Sequence, residues 1–188
     1  MSFVNAHFVT YAQDLGYSAL NAAFMFSIIG ATSIVGALLL GHYSDKYGRR
    51  AWLAISYQLR ALGFVVVLLS MGIPFLSVPS LGIVALVAGV LLVGLSWNAV
   101  VGITAAYTAD GFGTAHMGKI YGTMFAVMPM GSGLGSFLGG YLFDIRGTYD
   151  WAIWSNIALL IASALLVLSI GGKRPQPLGG PATAAGGD

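Results

Sequence analysis

Long apolar runs, separated by short charged or proline-bearing breaks, set the pattern of this chain. From Leu15 to Ser44 no residue carries a formal charge, and the apolar part runs from about Ala19 to Leu40. One helix across a bilayer needs about 20 predominantly apolar residues, so the run predicts a first span over 19–40. Ala51 to Met71 predicts a second, interrupted only by Arg60. Ala61 to Ala109 is again free of charge and too long for one span. The segments Met71-Gly72-Ile73-Pro74 and Val78-Pro79-Ser80 divide it, because proline lacks an N–H and clashes with the preceding turn. Further spans follow at 81–109, 120–143 and 151–170. The runs are continuous, without the alternation of barrel strands. The expected fold is an all-α, polytopic membrane bundle of five transmembrane helices over residues 1–170.

Composition agrees. Charged residues make up 7% of the chain and apolar ones 57%, with a mean hydropathy of +0.85. Soluble domains carry about 25% charged residues, so lipid must be part of the solvent here. A net charge of +2 without a basic stripe excludes a nucleic-acid partner. Cysteine is absent, which excludes disulfides and thiolate metal sites. Met1 to Gln13 has no Lys or Arg and so lacks the basic start of a cleaved signal peptide. Cations in short loops set orientation. Lys46, Arg49, Arg50, Lys119, Lys173 and Arg174 fall on one side and Arg146 alone on the other. The N-terminus is therefore expected outside and the C-terminus in the cytoplasm, in a plasma or bacterial inner membrane. The Gly-, Pro- and Ala-rich stretch 171–188 has nothing to bury and is expected to be a disordered cytoplasmic tail.

Between the first two runs stands Gly41-His-Tyr-Ser-Asp45-Lys46-Tyr-Gly48-Arg49-Arg50, read as a tight charged turn. The pattern resembles the signature loop of the major facilitator superfamily, matching it at Gly41, Asp45, Lys46, Gly48, Arg49 and Arg50. His7 to Gly16 resembles the outer segment before the eighth helix in the monocarboxylate and oxalate–formate branch. Asp144 to Tyr149 resembles that branch's outer turn before the last helix, and Asp110 to His116 its inner turn after the tenth. The resemblance covers most of residues 1–170 as a partial second half. It implies a secondary active transporter of a small solute, such as a small organic anion, working by alternating access between two six-helix halves. The partners it implies are the missing N-terminal half, or a second chain, and the solute. The alternative is a truncated or split membrane protein of structural or regulatory role with no transport of its own. Monocarboxylate-type relatives carry an Arg where Ala37 stands here, some with an Asp at the place of Ser33; this chain has neither charge.

Candidate residues follow. The resemblance implies that Asp45, with Arg49 and Arg50, latches an inner gate against the other half; the bland reading is a basic turn that sets topology. Arg60 lies about 13 Å into its span at 1.5 Å per residue, where a charge is costly and marks function by default, which makes it a candidate substrate contact. Pairing within the bundle is the competing reading. Trp97 and Asn98, with Thr104 and Thr108 further along, suit a solute site near the midplane. Interhelical hydrogen bonding is the alternative. Gly131, Gly135 and Gly139 repeat at the spacing of close helix packing. His7, His42 and His116 have no metal-ligand spacing, and no nucleophile–base set appears, so neither metal, cofactor nor catalytic residue is expected.

Overall fold

A computed structural model describes residues 2–14, 16–72 and 79–170. The described residues form six helices: α1 (Ser2–Asp14), α2 (Ala19–Tyr47), α3 (Arg49–Met71), α4 (Gly82–Phe112), α5 (Met117–Arg146) and α6 (Asp150–Ser169). No strand occurs among them. Four helices, α2, α3, α4 and α6, are long and apolar enough to cross a membrane. α5 has comparable length but is not among these, since its glycines and serines dilute its hydropathy. The fifth predicted span is thus a helix whose crossing rests on length alone. The predicted tail at 171–188 and most of the break at 71–80 lie outside the described residues.

Helix ends differ from the expected spans in an informative way. α2 starts where Ser18 Oγ accepts the Asn21 N–H at 3.3 Å, an N-cap. It does not stop at Leu40; it continues through the charged segment to Tyr47. Charge marks where a helix leaves lipid, but nothing there breaks the backbone hydrogen-bond ladder until Gly48. With φ of +105°, Gly48 takes a conformation that side chains disfavour, and α3 begins at the next residue. The expected turn is therefore mostly helix with a one-residue joint. α4 likewise runs past Ala109 to Phe112.

α4 is the centre of the bundle. It packs along α3 and α2, α6 packs on α3, and α1 rests on α2 and α5. Phe8, Tyr11, Met25, Ile29, Phe64, Leu86, Val90 and Ile153 share one buried cluster. Lipid tails are as apolar as these side chains, so association depends on tight contact more than on burial from water. Glycine provides that contact at two crossings. A Cβ on Gly63 would lie 3.0 Å from the Gly89 carbonyl, and one on Gly89 would lie 2.8 Å from the Gly63 carbonyl. These two glycines thus let α3 and α4 meet backbone to backbone. On the other side of α4, a Cβ on Gly36 would collide with the Leu95 backbone, and one on Gly94 with the Thr32 hydroxyl. By contrast α5 is mostly exposed, with Gly139 its one buried residue.

Candidate functional site

Polar groups within the apolar helices concentrate on α4 and its neighbours. Buried hydroxyls mostly bond their own helix: Ser56 donates to the Trp52 carbonyl at 2.8 Å and Ser96 to the Val93 carbonyl at 2.9 Å. Such bonds satisfy a hydroxyl where water is absent. Arg60 is satisfied across helices instead. Only 3% exposed, it crosses from α3 to α4, where Nη2 donates to the Ser96 carbonyl at 2.5 Å and the Trp97 carbonyl at 3.1 Å. Nε donates to Ser96 Oγ at 3.2 Å, and the guanidinium lies 5.5 Å from the centre of the Trp97 ring. No ion pair joins Arg60 to a carboxylate among the described residues.

The polar arc predicted on α4 splits between neighbours. Trp97 meets α3 through Arg60. Asn98 turns to α2 and donates from Nδ2 to Ser33 Oγ at 2.9 Å. Thr108 donates to the Thr104 carbonyl at 2.8 Å and stands 3.8 Å from Met124 Sδ on α5. These residues therefore do not converge on one point. Ser33, the partner of Asn98, occupies the position where the resemblance noted a missing charge.

A cavity of about 360 Å³ opens between α3, α4, α5 and α6. Arg60, Tyr57, Ser132, Ser155 and Asn156 give it a polar side, and residues such as Val101, Met128 and Leu159 an apolar one. Gly131, Gly135 and Gly139 line this cavity, and a Cβ on Gly131 would meet nothing within 4 Å. Neither Trp97 nor Asn98 lines it.

At the end where cations gather, Arg49 bonds Asp45, one turn earlier, and Asp110 at the end of α4. A single guanidinium thus ties α2, α3 and α4 together. Arg50 donates to the Leu168 carbonyl in the last turn of α6, where the helix dipole favours a cation. Lys46 lies 5.3 Å from the Tyr47 ring centre. Tyr43 stacks on Trp52 at 5.0 Å. Gly41 is half-buried in α2, and Gly48 makes the joint. Asp110 was legible in principle, as a carboxylate beside the turn after α4, but its partner required the packing. At the opposite end Arg146 stacks on Trp151 at 4.6 Å. His7 Nε2 lies 3.2 Å from the Ser136 carbonyl on α5. No group of His, Asp or Glu with metal-binding placement occurs among the described residues.

A model of the Major Facilitator Superfamily matches residues 1–187. An uncharacterized MFS-type transporter of Bacillus subtilis is 29% identical over 89% of this chain and 40% of its own length. Monocarboxylate transporter 12-B of Danio rerio is 29% identical over 87% of the chain and 33% of its own. A triacylglyceride transporter of Mycobacteroides abscessus is 29% identical over 69% and 23%. The chain therefore spans less than half the length of these relatives, which are named as transporters and not as enzymes. No solved structure is a significant match.

Proposed function

The chain belongs to the major facilitator superfamily, and from that premise we propose that it forms most of the second half of a secondary transporter for a small solute. Four apolar helices make it a multi-pass membrane protein; α5 supplies a fifth crossing in this reading. The remaining half, on the same or another chain, would close the solute path by alternating access. The single observation that carries the proposal is the Asp45–Arg49–Asp110 cluster. Charge pairs at the inner end of three helices can form in one state of a rocking bundle and part in the other. The polar pair Asn98–Ser33 between α4 and α2 and the amphipathic Trp97 are the solute contacts of this reading, with Thr104 one turn and more beyond. A small organic anion is the solute class, and the Gly131–Gly139 stripe is where the other half or the solute approaches α5.

The test separates binding from bracing. In the complete assembly, Asn98→Leu and Trp97→Ala each weaken solute binding per folded molecule. Interhelical hydrogen bonds in membranes average roughly 0.6 kcal/mol, so losing the Asn98 bond leaves the fold standing. An unchanged dissociation constant in both variants, alongside lower melting temperatures, removes these residues from the solute path.

Orientation is tested independently. A single cysteine placed at His42 should resist a membrane-impermeant thiol reagent in intact cells, and one at Thr148 should react. The bias of six cations to one motivates this expectation. Labelling of the His42 position from outside would invert the topology and place the charge cluster on the wrong side for an inner gate.

A further inference from the structure

We propose that Tyr43, Tyr47 and Trp52, together with Lys46, bind an anionic phospholipid at the edge of the membrane. Its headgroup meets the lysine, and an acyl chain follows α2 and α3. The site is independent of any solute path. Three rings gather where α2 gives way to α3. Tyr43 stacks on Trp52 at 5.0 Å and on Tyr47 at 6.1 Å, and Tyr47 lies 6.4 Å from Trp52. The group stays open to its surroundings, with Tyr43 40% and Tyr47 60% exposed. Rings with an apolar body and a polar tip settle at the level of lipid headgroups.

Charge decides which headgroup fits. A helix turns by about 100° per residue, so Lys46 and Tyr47 fall on the side of Tyr43 while Asp45 lies about 200° round from it. Asp45 is held by Arg49, which also takes Asp110. Lys46 forms no ion pair among the described residues, and its ammonium lies 5.3 Å from the Tyr47 ring centre. The cation beside the rings is therefore left for a partner from outside, and that partner must be an anion. Tyr43 is nearly parallel to Trp52 and Tyr47, at 14° and 23°. Such rings turn their faces to one another and do not form the crossed walls that enclose a choline group. Their remaining polar groups, two phenolic O–H and one indole N–H, are donors that suit a phosphate. The acyl chain has a track beside them. Val35, Leu39, Tyr43 and Tyr47 follow at steps of four on α2, and Val35 and Leu39 are half-exposed. On α3 Ile55 and Leu62 share the side of Trp52 and are exposed too.

The experiment uses the whole chain purified in a neutral detergent and titrated with dioleoyl phosphatidylglycerol or dioleoyl phosphatidylcholine. Retained lipid is counted by native mass spectrometry, and the thermal midpoint is followed in parallel. Phosphatidylglycerol should be retained saturably and raise the midpoint, and phosphatidylcholine should bind far more weakly. Lys46→Gln should weaken retention of phosphatidylglycerol roughly fivefold, the effect of removing one lysine from an anionic surface. Lys46→Arg should restore it. Lys119→Gln removes another exposed cation, on α5, and should change nothing. Tyr47→Leu keeps an apolar surface without the phenol; it should weaken retention while melting like the parent in the absence of lipid. Both Lys46 and Tyr47 are exposed, so neither variant threatens the fold. Equal retention of the two lipids, or parental retention by Lys46→Gln, would overturn the proposal. So would a dimer that forms without lipid and excludes it, since a second copy would then cover the rings.

Discussion

Gly36→Leu should separate α2 from α4 and cost about 3 kcal/mol, the upper part of the range for overpacking a tight contact. Any side chain at Gly36 would run into the backbone of Leu95, and a backbone cannot rotate aside as a side chain can. For a chain of this size such a loss corresponds to a drop of roughly 6–12 °C in melting temperature. Gly131→Leu is the matched control. It adds the same side chain to a helical glycine whose Cβ has nothing within 4 Å, and it should move the midpoint by no more than about 2 °C, as most unconstrained surface changes do. Thermal melts of both variants in the same detergent decide the matter. Equal losses would mean that Gly36 is no closer to α4 than Gly131 is to its surroundings, and the α2–α4 crossing would need another account.

Arg49→Gln, made in the complete transport assembly, should slow transport roughly tenfold with little change in the amount of folded protein. Arg49 holds two carboxylates that are both well exposed, at 63% for Asp45 and 59% for Asp110. Exposed pairs contribute only about 0.2–1 kcal/mol each to stability, so the fold should tolerate their loss. A two-state equilibrium is more sensitive. If the pairs exist in one state only, losing both removes about 1.4 kcal/mol of bias, which is tenfold in population. Asp45→Asn and Asp110→Asn should each give part of that effect, and the double variant should match Arg49→Gln. Initial uptake rates in proteoliposomes, normalised to inserted protein, provide the measurement. If Asp45→Asn is slow while Asp110→Asn is indistinguishable from the parent, Asp45 acts through the other half of the transporter. If all three run at the parental rate, the cluster sets topology and does not gate.

Much of this protein could be read from one dimension. Membrane class, helical content and the approximate positions of α2 to α6 follow from run length and charge spacing, which are local properties of the chain; α1 corresponds to no predicted span. A backbone in lipid has few ways to satisfy its own hydrogen bonds, so an uninterrupted apolar run already implies a helix. The charged segment at Gly41–Arg50 was legible for the same reason, because four charged residues between apolar runs can only sit at a membrane edge. Its shape was not. Charge density resembles a loop, whereas Ser44 and Gly48 continue the helical ladder with a hydrogen bond of 3.1 Å.

What only the tertiary structure decided is which residues meet. Close approaches between helices fall at Gly36, Gly63, Gly89 and Gly94, which no period on one helix reveals. Arg60 finds Ser96, Asn98 finds Ser33, and Arg49 finds Asp110 across 36, 65 and 61 positions of chain. Each pairing depends on how two helices are rotated and offset against each other. Periodicity defines the faces of one helix but says nothing about the depth at which a neighbour crosses it. In a bilayer, where hydrophobicity does not choose among apolar faces, that choice passes to shape complementarity and to a few polar contacts. The sequence contains those groups; the packing determines which of them become partners.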